Sequence, residues 1–151
     1  MAFPFVEEHA ASRRRLQELV ARLTPADFAR ATRSGWTISA LLAHLAFWDN
    51  RVLVLLRRWK AQGVDESPID PDAMNDALRP LFLEMDPEVA AQLCLSSARA
   101  VDAELETVTS SLAQEIEASS THFRFNRALH RDDHLDEIEN LLGAQRSGEG
   151  S

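Results

Sequence analysis

Tyrosine is missing from this 151-residue chain, and Cys94 is its only cysteine. The missing phenol removes one common general acid. A lone thiol excludes an intrachain disulfide, which suits a reducing, cytoplasmic setting. Cys94 follows Leu93 and has no adjacent His or Lys to stabilise a thiolate, so it makes a poor nucleophile. Cations are scarce as well: 16 Lys and Arg against 24 Asp and Glu leave a formal net charge of -8. A phosphate-binding face needs a basic patch, so neither nucleic acid nor an anionic membrane is an expected partner. Arg13 to Arg15 and Arg57 to Arg58 read as solvated helix faces. Long apolar runs are also lacking, because the stretch Ile38 to Trp59 is interrupted by His44, Asp49, Asn50, Arg51, Arg57 and Arg58. The segment Met1 to His9 has no basic start and no apolar run, so no signal peptide is expected. No segment alternates apolar and polar residues in the manner of a strand.

What remains is helical. At 45% apolar content the chain fits one domain with one sizeable core, expected over residues 1–145, with a Gly/Ser-rich flexible tail over 146–151. Thr24-Pro25, Asp70-Pro71 and Asp86-Pro87 each place a side-chain oxygen at an N-cap and proline at the first helical position, where a missing N–H costs nothing. Helix one is predicted from about Phe3 to Leu23, with Phe5, His9, Leu16, Leu19, Val20 and Leu23 on one face. Helix two runs from about Thr37, after the Ser34-Gly35 break, to Gln62 and stops at Gly63. The connection Val64 to Asp86 carries Pro68, Pro71 and Pro80 and holds only a short helical piece near Ala73 to Arg79. Helix three spans Pro87 to Gln114. Ser119 to Thr121 caps helix four, which ends at Gly143. Four amphipathic helices must bury their stripes on one another, so the fold class is an all-α four-helix bundle. Short links make helices one and two, and three and four, antiparallel. The long crossover lets helix three run parallel to helix two, an up-down-down-up order.

Three histidines lie in the apolar stripes. His130 and His134 are spaced i, i+4 on a face continued by Ile138 and Leu141, and His44 sits among Leu41, Leu45 and Trp48 on helix two. One such residue is more often a hydrogen-bonded core histidine than a ligand, but a second ring one turn away asks for another reason. If helices two and four are antiparallel, the three rings meet at similar depth and form an open metal site.

Two stretches together resemble the DinB-like metalloenzyme family: Gly-Trp-Thr-Ile-Ser-Ala-Leu-Leu-Ala-His-Leu-Ala-Phe-Trp-Asp, ending at Asp49, and Ala-Leu-His-Arg-Asp-Asp-His-Leu-Asp-Glu-Ile, ending at Ile138. The resemblance extends over nearly the whole chain in helix order and histidine placement. It implies an up-down-down-up bundle, a divalent metal on His44, His130 and His134, and frequent homodimers. The run Val52 to Leu56, apolar on more than one face, points to the same dimer. Related bundles include transferases and isomerases that use mycothiol, bacillithiol or a similar low-molecular-weight thiol. The sequence stops after helix four, without the extra carboxy-terminal domain of the mycothiol-dependent maleylpyruvate isomerase type, so that particular activity is not the expectation.

Three imidazoles leave a coordination position open, where a metal lowers the pKa of a water or a thiol. Zinc is the default, with nickel, iron and manganese as alternatives. Asp49 and His9 are the candidate catalytic residues: Asp49 as acid or base one residue beyond Trp48, His9 as proton shuttle or fourth ligand on the core face of helix one. Asp133 is turned away from its neighbour His134. Trp36 and Trp48 are candidate pocket walls, and Asn75 a candidate lid. The expected function is a metal-dependent enzyme, a small-molecule transferase with a thiol cosubstrate or a hydrolase. The alternative is a non-catalytic metal-binding or ligand-sequestering bundle.

Overall fold

The computed structural model describes residues 2–119, 121 and 123–148. Its helices are α1 (Val6–Arg22), α2 (Pro25–Phe28), α3 (Ile38–Gln62), α4 (Pro71–Leu83), α5 (Pro87–Leu105), α6 (Ser110–Ala118) and α7 (Ala128–Gly148). Among the described residues there is no strand, only an isolated bridge between Ala31 and Thr37. The fold is all-α. The proline-marked starts open helices as their chemistry demands. Thr24 forms a reciprocal capping box with Asp27, Asp70 accepts from the Ala73 amide, and Asp86 accepts from the Glu88 and Val89 amides. Thr37 caps α3 by accepting from the Ala40 amide at 3.0 Å, and Gly63, at φ 87°, ends it.

α1, α3, α5 and α7 supply the packing faces. Leu41, Leu42 and Leu45 of α3 cluster with Ala90, Ala91, Cys94 and Ala98 of α5. Further along, Val52, Leu55, Leu56 and Trp59 cluster with Val101 and Leu105. Positions advance together, so α3 and α5 run in the same direction. α7 opposes α3, because Asp49 meets Arg127 and Arg131 whereas the earlier His44 meets His130 and His134. α7 follows α1: His9 meets Arg127, Ser12 meets Asp132 and Arg15 meets Glu139. α3 and α5 thus run one way and α1 and α7 the other.

Several boundaries differ from the sequence reading. α1 starts at Val6 because Pro4 disfavours helical backbone at Phe3, whose ring instead stacks edge-on with Phe5 at 5.6 Å. The connection after Gly63 holds a full helix, Pro71–Leu83, with Pro80 inside it on the solvent side. The predicted helix Pro87 to Gln114 is two helices. Thr107 Oγ1 donates to the Glu104 carbonyl at 2.7 Å and Thr109 accepts from the Leu112 amide at 3.1 Å, so one hydroxyl ends α5 and the other caps α6. Ser119 closes α6 rather than opening the last helix. Its hydroxyl donates to the Ile116 carbonyl, and Ser120 lies outside the described residues. The chain then packs Phe123 against Trp59 at 5.5 Å, and Asn126 Oδ1 accepts from the Ala128 amide where α7 begins. α7 continues past Gly143 to Gly148, so 146–148 of the expected tail have helical backbone and 149–151 lie outside the described residues.

α3 is long and apolar enough to cross a membrane by length and composition, but 72% of its most apolar window is buried inside the bundle. Within the run Val52 to Leu56 only Val54 is exposed. One hydrophobic cluster, shared with Trp59, Val101 and Leu105, absorbs the other four side chains, so this run leaves only Val54 at the surface.

Candidate metal centre

α3 delivers His44 from the face that also buries Leu41 and Leu45, leaving the imidazole 7% exposed. α7 delivers His130 and His134 one turn apart, and because it runs antiparallel to α3 the three rings converge. Centroid separations are 5.2 Å for His44–His130, 5.0 Å for His44–His134 and 4.9 Å for His130–His134. One ligand nitrogen from each ring lies within 4.8 Å of the others. His44 Nε2 and His130 Nε2 are 3.3 Å apart. Two nitrogens each about 2.0–2.1 Å from one tetrahedral ion sit about 3.3 Å from each other, so this pair already has ligand spacing.

The electrostatics favour neutral rings. Burial, with help from His134, pushes His44 down to about 4. Burial and then the Arg127 guanidinium push His130 down to about 2, with His134, His44 and Arg124 adding to the effect. At neutral pH both rings are uncharged, as a metal requires, while the Arg127 donor 3.4 Å from His130 Nδ1 favours the tautomer with the proton on Nε2. Donor set, spacing and the neutral His44 and His130 therefore fit a divalent ion. His134 Nδ1 lies 3.2 Å from Glu137 Oε2, and Ser34 Oγ donates to Glu137 Oε1 at 3.1 Å. Trp36 is buried with its ring 5.1 Å from His44, and Trp48, half-buried, lies 6.4 Å from it. Both indoles do wall the site. Asn75 Oδ1 accepts from Trp48 Nε1 at 3.1 Å, so the α4 residue read as a lid holds a wall in place.

Asp49 and His9 sit in a second buried layer. Asp49 accepts from Arg127 Nε at 2.9 Å and from Arg131 Nε at 3.1 Å. Arg131 also grips Asp102 with both terminal nitrogens, at 2.9 and 2.6 Å, and Arg13 donates to the same carboxylate at 2.7 Å. His9 Nε2 accepts from the Arg127 amide at 2.9 Å while its Nδ1 lies 3.3 Å from Asp102 Oδ1. Burial lowers the His9 pKa against the pull of Asp102. The two layers meet where Arg127 Nη2 lies 3.4 Å from His130 Nδ1. Asp133 is exposed, and burial drives the Cys94 thiol far up.

Sequence reasoning missed Arg127, Arg131, Asp102, Glu137 and Ser34. A signal existed for two of them. Arg127, Arg131, His134 and Ile138 recur at helical spacing on one inward face, and an arginine there must have a buried carboxylate waiting.

Compared with known proteins, residues 9–121 match the family model for the mycothiol maleylpyruvate isomerase N-terminal domain. That span contains His44 and stops before His130 and His134. No curated protein and no solved structure matches the chain.

Proposed function

The chain belongs to the mycothiol maleylpyruvate isomerase N-terminal domain family, within the DinB-like superfamily of helical thiol-related metalloenzymes, and from that premise we propose that it is a metal-dependent transferase that joins a low-molecular-weight thiol to a small electrophile. The observation that carries this reading is the convergence of His44, His130 and His134 at ligand spacing, with His44 and His130 held neutral. A divalent ion held there, zinc by default with nickel, iron or manganese as alternatives, supplies a Lewis acid that lowers the pKa of a thiol or water at its open position. The chain's own residues do the rest. Trp36 and Trp48 shield the rings from bulk water on the α3 side. Asp49 has one oxygen on Arg127 and the other on Arg131, and His9 is held between Arg127 and Asp102. In this reading both hold the arginine layer beneath the centre, and neither moves a substrate proton.

The same reading places the protein in the cytoplasm, where low-molecular-weight thiols stay reduced and a lone buried cysteine such as Cys94 is at home. It also takes the protein as a homodimer. Exposed Leu81, Leu83, Val89 and Leu93, at the end of α4 and the start of α5, offer apolar surface in place of the Val52 to Leu56 run.

The test is a screen of the zinc-loaded protein against epoxides, lactones and maleyl compounds, with and without low-molecular-weight thiols. Thiol-dependent turnover lost in His44→Ala is the expected result. Turnover without thiol would select the hydrolase. Metal binding with no turnover across the panel would select the sequestering bundle.

A further inference from the structure

We propose that Glu137 is a positioning residue that fixes His134 for the metal, and that the turn leading into α3 holds Glu137 through Ser34. The inference rests on the metal centre described above and concerns what orients one ligand.

The three rings differ at the nitrogen that faces away from the site. His44 Nδ1 is buried without a hydrogen-bond partner. His130 Nδ1 faces Arg127 Nη2, and a guanidinium can only donate. His134 alone has an anion there: Glu137 Oε2 at 3.2 Å, one turn further along α7. A carboxylate accepts, so His134 must carry its proton on Nδ1. That leaves the Nε2 lone pair free for an ion and fixes the ring plane. Burial pushes the Glu137 carboxyl up, but the hydrogen bonds from His134 and Ser34 outweigh burial and keep it below the usual range.

Glu137 is itself clamped. Its side chain is 23% exposed, so packing alone does not fix it. Ser34 Oγ donates to its second oxygen at 3.1 Å, and the Ser34 and Thr32 hydroxyls lie 3.0 Å apart. The turn is stiff. The Thr32 amide and hydroxyl both donate to the Trp36 carbonyl, at 2.7 and 2.8 Å, and the Ile38 amide donates to the Arg30 carbonyl at 2.9 Å. Gly35 supplies the left-handed φ of 84° that closes the loop. Immediately after it begins α3, which carries His44. Thus a single carboxylate ties the element that presents His44 to the ligand on the opposing helix.

Zinc and cobalt(II) affinities of the full-length protein, measured by competition with a chromophoric chelator, test this. Glu137→Ala should weaken zinc binding by roughly 10- to 100-fold. Glu137→Gln still accepts from Nδ1 and should recover at least half of that loss on a logarithmic scale. Ser34→Ala should weaken binding by roughly 2- to 5-fold and shift the visible bands of the cobalt form in the same direction as Glu137→Ala. A role in folding alone would lower the melting temperature of the metal-free protein without separating Gln from Ala in metal affinity. Wild-type binding with Glu137→Ala within twofold of it overturns the inference. Should Glu137→Ala not fold, an unchanged cobalt spectrum and affinity in both Glu137→Gln and Ser34→Ala overturns it instead. The metal centre fails separately, if the wild type takes up no metal or His130→Ala binds it as tightly.

Discussion

Acidification should destabilise the metal-free protein well before its carboxylates titrate. His44 and His130 are held neutral in the fold, with pKa values pushed to about 4 and about 2 by burial and neighbouring positive charge, against 6.5 for a free ring. Below pH 6.5 the unfolded chain therefore binds protons that the folded chain refuses. Stability from these rings is fully present above that pH and falls as pH drops toward the folded values. Well below pH 6.5 each such ring costs about 1.4 kcal/mol per pH unit; because an unfolded ring is only half protonated at 6.5, lowering the pH from 6.5 to 5 removes about 3 kcal/mol through the two together. His9, also lowered by burial, acts in the same direction. A domain of this size has about 5–15 kcal/mol in total, so the loss is a large share of its stability. Urea unfolding in the presence of a chelator, at half-unit steps from pH 7.5 to 5, reads the slope directly. His130→Asn should shed about 1.4 kcal/mol per pH unit from it. A midpoint that stays flat to pH 5, or a variant slope equal to the wild-type slope, would refute the claim that these rings are buried and neutral.

Elemental analysis of the purified protein should find about one divalent ion per chain, and replacing His130 or His134 by Ala should remove it, since two rings do not hold an ion tightly. Full occupancy in both variants would reject the site. Arg131→Ala leaves Asp49 and Asp102 buried without their shared partner, and thermal or urea unfolding should show a loss of about 3–5 kcal/mol. A loss under 1 kcal/mol would mean the pair is solvated. Leu56→Ala, at a position with no solvent exposure, should cost about 2–5 kcal/mol by the same assay. Arg15→Ala, on the surface ion cluster with Asp136 and Glu139, should cost no more than about 1 kcal/mol.

Much of this architecture is written locally. Thr24, Asp70 and Asp86 before proline announce their helices because cap and proline act within one turn. The periodic stripes around His44, His130 and His134 announce an inward face for the same reason. Misreadings occur where a side chain competes with the backbone. Thr107 and Thr109 divide a stripe that is otherwise continuous from Val89 to Leu112, and nothing in the apolar periodicity marks the division. Ser119 looked like a start and is a stop, since a hydroxyl next to a helix can serve either end. Arg127 and Arg131 stayed hidden because their partners lie on other helices. Asp49 is 82 residues away from Arg131, and no local pattern pairs them. Glu137 was in view within the second motif, yet its role depends on Ser34, 103 positions earlier.

The Arg131 layer also sets how α7 can slide. Its carboxylate partners come from α3 and α5, and Asp102 is shared with Arg13 and His9 of α1, so all four long helices contribute to one polar plane. A slip of α7 by one turn, about 5.4 Å, leaves its apolar stripe facing much the same core, because Leu135 and Ile138 would move into places shaped for similar side chains. The same slip would strand Asp49 and Asp102 without cations and move His130 and His134 past His44. Apolar contacts define which side of α7 faces inward, whereas the arginine plane defines its height. The three imidazoles inherit their alignment from a charge pairing that lies in a separate layer.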